Sequence, residues 1–143
     1  MALLSEEIKR EVQSELQGLK NEVRLIVFTQ EMECEYCNEN RLLVEEIASL
    51  SDKIKVEVYN FTLDKNKVEE YKIDKIPAIA VCDGTGKDYG IRFYGIPAGY
   101  EFTSLIEAMR MVSLGESGLE EGSKKELQKL NKPVHIQVFV TLT

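Results

Sequence analysis

The chain is poor in histidine, cysteine and proline, has no excess of basic charge, and has no apolar run long enough to cross a bilayer. Each scarcity closes a class of function. Lys and Arg number 18 against 25 Asp and Glu, a net charge of -7, so no basic patch steers nucleic acid to the surface. Without a spanning run, a membrane protein is not expected. The first ten residues already carry Glu6, Glu7, Lys9 and Arg10, which is not the pattern of a signal peptide. Three cysteines are too few, and the wrong parity, for a secreted disulfide framework. The expectation is a cytoplasmic protein, where a C-x-x-C is catalytic or metal-binding more often than structural.

What is present suits one soluble domain, or one domain plus a fragment. Hydrophobic residues are 43 % and charged residues 30 % of 143. A chain of this length buries a core without staples. The stretch that carries chemistry is Cys34-Glu35-Tyr36-Cys37. It follows the apolar run Leu25-Ile26-Val27-Phe28 and opens a helix read as Asn38 to Leu50. Residues three apart share a helix face, so two sulfurs at this spacing are close enough to bond. A helix N-terminus favours negative charge, hence the thiolate that attacks disulfides.

The remaining elements fall in order. Leu4, Ile8, Val12, Leu16 and Leu19 form one stripe of an amphipathic helix that starts at Ser5. Val23 to Thr29 reads as a strand buried on both faces. Ile54, Val56 and Val58 alternate with Lys55, Glu57 and Tyr59, a strand of period two. Strand, helix and strand make a βαβ unit. Lys65 to Tyr71 reads as a short helix capped by Asp64. Ala78 to Cys82 and Asp88 to Tyr94 flank the turn residues Asp83-Gly84-Thr85-Gly86, a β-hairpin. Glu101 to Leu114 closes the unit as a helix.

Gly115-Glu116-Ser117-Gly118 is the clearest linker. The expected division is 1–118, a redox unit, and 119–143, a helix (Ser123 to Leu130) and a strand (Val134 to Val140). The run from Glu22 to Phe28 matches that from Pro133 to Phe139, so the second part reads as the start of another unit in a shortened chain. Its apolar strand is expected to dock on a sheet edge or on another copy of the chain, giving a homo-oligomer.

With C-E-Y-C at the first strand–helix turn, Ile76-Pro77 before a later strand, then a hairpin and a helix, the chain resembles the thioredoxin fold. It resembles more closely the glutaredoxin-like protein disulfide oxidoreductases of thermophiles. The stretches that carry the likeness include V-R-L-I-V-F-T, K-I-P-A-I-A-V, D-Y-G-I-R-F-Y-G-I-P-A-G-Y-E-F-T-S-L and V-H-I-Q-V-F-V-T. The segment G-I-P-A-G-Y-E-F-T-S-L is also similar to the N-terminal domain of the alkyl hydroperoxide reductase flavoprotein, whose first unit has lost its cysteines. The implied fold is α/β, a mixed four-stranded sheet flanked by helices, with an extra N-terminal helix.

The resemblance implies that Cys34 is the exposed nucleophile, Cys37 the buried resolving thiol, and Pro77 a cis residue facing the sulfurs. The Ile76 backbone would then pair with a substrate strand. Tyr36, a further candidate for substrate contact, either packs beside Cys34 or is a surface ring. The implied partners are protein disulfides and dithiols, with a flavoprotein reductase or a peroxidase beyond them. No cofactor is called for. Family members carry a second C-x-x-C that this sequence lacks, so activities needing two sites are not expected. The chain also departs from thioredoxins: Glu33 stands in place of Trp, Glu35-Tyr36 in place of Gly-Pro, and Phe28 in place of a buried Asp. Proton transfer at Cys37 therefore needs another group or water.

The alternatives are a thioredoxin-fold module that binds peptide without turnover, or a zinc site in which Cys82 and His135 join Cys34 and Cys37. Cys82 sits in an apolar run and is expected in the core; His135 is expected to be structural. Glu31, Glu33, Glu35 and Glu39 surround the motif, with Arg41 the nearest base. These carboxylates oppose the helix terminus, so the Cys34 thiol is expected only slightly below its usual pKa of about 8.5. They also repel anionic glutathione, which favours protein substrates.

Overall fold

The computed structural model describes residues 2–141. Its centre is β1 (Val23–Thr29), an interior strand flanked by β2 (Ile54–Asn60) and β3 (Ala78–Asp83), with β4 (Asp88–Tyr94) at the far edge. β1 pairs parallel with β2 and antiparallel with β3, and β3 pairs antiparallel with β4. The hairpin carries an irregularity in its register between Val81 and Cys82.

Strand alternation sorts the core into two layers. Val23, Leu25 and Val27 of β1 and Ile79 and Val81 of β3 face one layer. It is covered by α1 (Glu6–Leu16), α2 (Cys37–Ala48) and α4 (Tyr100–Leu114). Ile26, Phe28, Ala78, Ala80 and Cys82 face the other, beneath α3 (Lys65–Glu70) and its flanks. Both faces being covered is why β1 is apolar from Leu25 to Phe28, with Arg24 and Thr29 near its ends. On the α3 side Phe28 lies between the rings of Tyr59 and Tyr71, centroids 5.8 and 5.7 Å away. Arg92 closes that side, paired through both terminal nitrogens with Asp88 (2.6 and 2.8 Å) and donating to the Tyr71 carbonyl.

The helix ends follow local chemistry. Ser5 caps α1, its Oγ accepting from the Ile8 N–H at 3.2 Å. Asp64 precedes α3 but does not cap it through its side chain; its carboxylate instead accepts from the Asn60 N–H at 2.6 Å and closes the β2–α3 turn. α4 ends where Gly115 takes a left-handed φ of 69° and returns its N–H to Met111.

Ser113, buried near the end of α4, ties that helix to the turn before β1. Its Oγ accepts from the N–H groups of Lys20 and Asn21, both at 2.9 Å, and donates to the Asn21 carbonyl at 2.7 Å. One hydroxyl thus uses its whole bonding capacity. Ser113→Ala is expected to cost about 2 kcal/mol, because two backbone donors lose their acceptor. Urea unfolding checks this as a lower midpoint with an unchanged slope.

The C-terminal part departs from expectation. α5 spans Glu121–Leu127, earlier than the expected Ser123 to Leu130, and buries no residue. Val134 to Val140 is not a strand: it pairs with no strand among the described residues, and Ile136, Val138 and Phe139 are about four-fifths exposed or more. It does not dock on a sheet edge of its own chain. A strand exists only by pairing, and this segment takes no place at either edge of the four-stranded sheet, β2 or β4.

Candidate active site

β1 delivers the site. Its last residues, Phe28 and Thr29, run into a loop of residues 30–36 that returns as α2. Gln30 braces this loop: its side-chain amide donates to the Met32 carbonyl, and its oxygen accepts from Thr62 of the β2–α3 turn at 2.6 Å. Glu33, immediately before Cys34, holds a left-handed φ of 57°, uncommon for a side chain of its size.

Cys34 and Cys37 are joined as a disulfide with Cα atoms 5.5 Å apart, within the usual range. Cys34 lies before the helix, two residues ahead of Tyr36, which occupies the N-cap. Cys37, not Asn38, is the first helical residue. The two sulfurs differ in setting. Cys34 is partly exposed, whereas Cys37 is fully buried on the inner face of α2. Tyr36 is half-exposed, and its carbonyl accepts the Asn40 N–H at 2.9 Å.

The register of β1 against β3 sets Phe28 beside Ala78. Ile76 and Pro77, just before Ala78, therefore stand at the end of the sheet from which the cysteine loop leaves. The Ile76–Pro77 peptide bond is cis, Pro77 is buried, and its carbonyl accepts the Gly95 N–H at 2.9 Å.

Cys82 lies on the opposite face of the sheet from α2, within the layer of Phe28 and Ala80. His135 is exposed in the C-terminal segment. The Cys₃His set is thus not assembled, and no metal-ligand cluster is present among the described residues. Burial pushes the Cys82 thiol up to about 11, the Asp88 carboxylate adding to the effect and Arg92 opposing it. At pH 8 about one Cys82 in a thousand is thiolate. Iodoacetamide applied to the reduced, folded protein is therefore expected to add one label, on the partly exposed Cys34, and two more, on the buried Cys37 and Cys82, only after denaturation. Peptide mass mapping reads the result.

Glu31, Glu33, Glu35 and Glu39 are all exposed around the motif, while Arg41 is turned to Glu45 at 3.0 Å. One inner-face residue escaped the reading of the sequence. Asn40 is fully buried one turn beyond Cys37. Its signal was present: a polar residue at a position that the period through Leu43, Val44 and Ile47 assigns to the core.

This arrangement defines a thioredoxin-like protein with a C-x-x-C disulfide at the first strand–helix turn of its sheet. No family model matches the chain. It is similar to an NADH dehydrogenase of Bacillus subtilis, 28 % identical over 141 residues, which is 99 % of this chain and 25 % of the relative. Among solved structures, a protein disulfide oxidoreductase from Aeropyrum pernix superposes with a TM-score of 0.80 at 31 % identity, over 91 % of this chain and 56 % of that one. The N-terminal domain of alkylhydroperoxide reductase AhpF from Enterococcus faecalis superposes with a TM-score of 0.81 at 29 % identity, over 90 % and 62 %. A tandem thioredoxin-fold family fits these neighbours and this chain. The chain spans about a quarter of the length of the curated relatives it matches. No helix among the described residues is long and apolar enough to cross a membrane.

Proposed function

We propose that the protein is a thiol–disulfide oxidoreductase that exchanges electrons between its Cys34/Cys37 pair and the disulfides or dithiols of other proteins. The reading is carried by one observation: a disulfide with one sulfur at the surface and the other buried behind it. Reduced, Cys34 attacks a substrate disulfide as thiolate and forms a mixed disulfide. Cys37 then attacks the Cys34 sulfur, the substrate leaves as a dithiol, and the internal bond closes. The reverse order oxidises a dithiol. Only the outer sulfur needs to be reached by substrate, and the inner one is held where only Cys34 meets it.

Ile76 and Pro77 stand at the same end of the sheet as the motif, which suits them to hold an extended substrate segment, with Tyr36 as the exposed ring beside the cysteine loop. The acidic rim favours protein substrates over glutathione, since its carboxylates repel an anionic thiol. The names of the relatives, an NADH dehydrogenase and an alkylhydroperoxide reductase among them, support a place in a chain of redox proteins; in this reading the unit relays electrons in the cytoplasm between a flavoprotein reductase and a peroxidase.

The test is insulin reduction by dithiothreitol. Catalytic amounts of the protein are expected to shorten the lag before insulin B-chain precipitation. No acceleration would leave a thioredoxin-fold module that binds peptide without turnover.

A further inference from the structure

Two buried polar side chains lie among the described residues, Ser113 and Asn40, and they differ sharply. Ser113 uses its whole bonding capacity. Asn40 uses none: its Nδ2 and Oδ1 are both buried and both without a hydrogen-bond partner. A buried amide left this way costs free energy, and such a group calls for an explanation.

Its position supplies one. Asn40 follows Cys37 by three residues on α2, so the two side chains are neighbours on one helix face. Helical side chains lean toward the N-terminus, which carries the Asn40 amide toward the turn that holds Cys37. The sheet beneath offers nothing else. On this face β1 and β2 present Val23, Leu25, Val27, Ile54, Val56 and Val58, none with a polar side-chain atom. In the disulfide state the Cys37 sulfur is spent on Cys34 and does not serve as acceptor.

We infer that Asn40 is the positioning residue for Cys37, and that its amide finds its partner only when the disulfide opens. The inference rests on the redox reading above. When a substrate thiolate attacks the Cys34 sulfur, the S–S electron pair passes to Cys37, which leaves as thiolate. The Asn40 Nδ2–H donates to that sulfur as the charge appears. A second substrate thiolate then displaces Cys34. The substrate becomes a disulfide, losing two electrons, and the Cys34/Cys37 pair gains them; the protons lost by the substrate thiols end on the two cysteines. Asn40 neither gives nor takes a proton. It stabilises the dithiol state and is unpaired in the disulfide state, so it shifts the pair toward reduction.

The test uses the full chain with Asn40→Leu. The Cys34/Cys37 pair of each protein is equilibrated in dithiothreitol or glutathione redox buffers, quenched by alkylation and read by mass. The variant is expected to shift about tenfold toward the disulfide, which is ~30 mV more reducing for a two-electron couple. Asn40→Ala is expected to shift the same way, and carries the test if leucine prevents folding. A change smaller than about twofold, or one toward the dithiol, would overturn the inference while leaving the redox function intact. If the unaltered protein forms no reversible Cys34–Cys37 couple in the same titration, the functional reading itself fails.

Discussion

Cys34→Ser is expected to bring insulin reduction down to the dithiothreitol background, a loss of roughly 10³-fold or more, as for other enzymes stripped of their nucleophile. A serine hydroxyl does not ionise in this range and forms no mixed disulfide. Cys37→Ser should fail differently. Cys34 still attacks, but nothing resolves the adduct, so a mixed disulfide with substrate accumulates and is seen as an added mass lost on reduction. The contrast is expected from the geometry: Cys34 is partly exposed, where a substrate would reach it, and Cys37 is fully buried behind it. Adduct trapped equally by both variants would show that the two cysteines do not have separate roles.

Phe28→Ala is expected to destabilise the fold by about 3–5 kcal/mol, a large part of the stability of a domain this size. Phe28 is fully buried in an interior strand, and its ring meets both Tyr59 and Tyr71. The layer around it is small, held mainly by Ile26, Ile73, Ala78 and Ala80, with one short helix outside. Denaturant unfolding measures the loss, and a cost below about 1 kcal/mol would mean that this layer repacks freely. Phe28 also ends the strand from which the cysteine loop leaves, so its loss is expected to lower exchange activity beyond the fraction unfolded.

Much of this molecule was legible before it was folded. The bounds of β1 and β4 match the apolar runs and turn residues residue for residue, because a strand in a two-layered core must be apolar or alternate. α2 and α4 differ from the reading by one or two residues at their ends, where fraying and capping decide. Asp64 was expected to cap α3, but a nearer backbone N–H at Asn60 takes its carboxylate. Val134 to Val140 has the composition of a strand and is none, since composition states a capacity to pair and not the presence of a partner. The Asn40 amide is not legible as unpartnered from the sequence, because a helical period marks a face without saying whether a polar group on it will be met.

By itself the amino-acid order determined the two sulfurs three residues apart, the strand before them and the helix after, and hence a thiol site at a strand–helix turn. Those are local matters, set by spacing and by the alternation of apolar side chains. Only the tertiary structure decided that Cys37 is buried while Cys34 is not, and that Cys82 lies across the sheet from both. It also decided that Ile76–Pro77 shares their end of the sheet, and that the Asn40 amide has no partner while the disulfide is closed. Burial, pairing and proximity are relations between segments far apart in the chain. They come into being when the sheet orders its strands and the helices cover its faces.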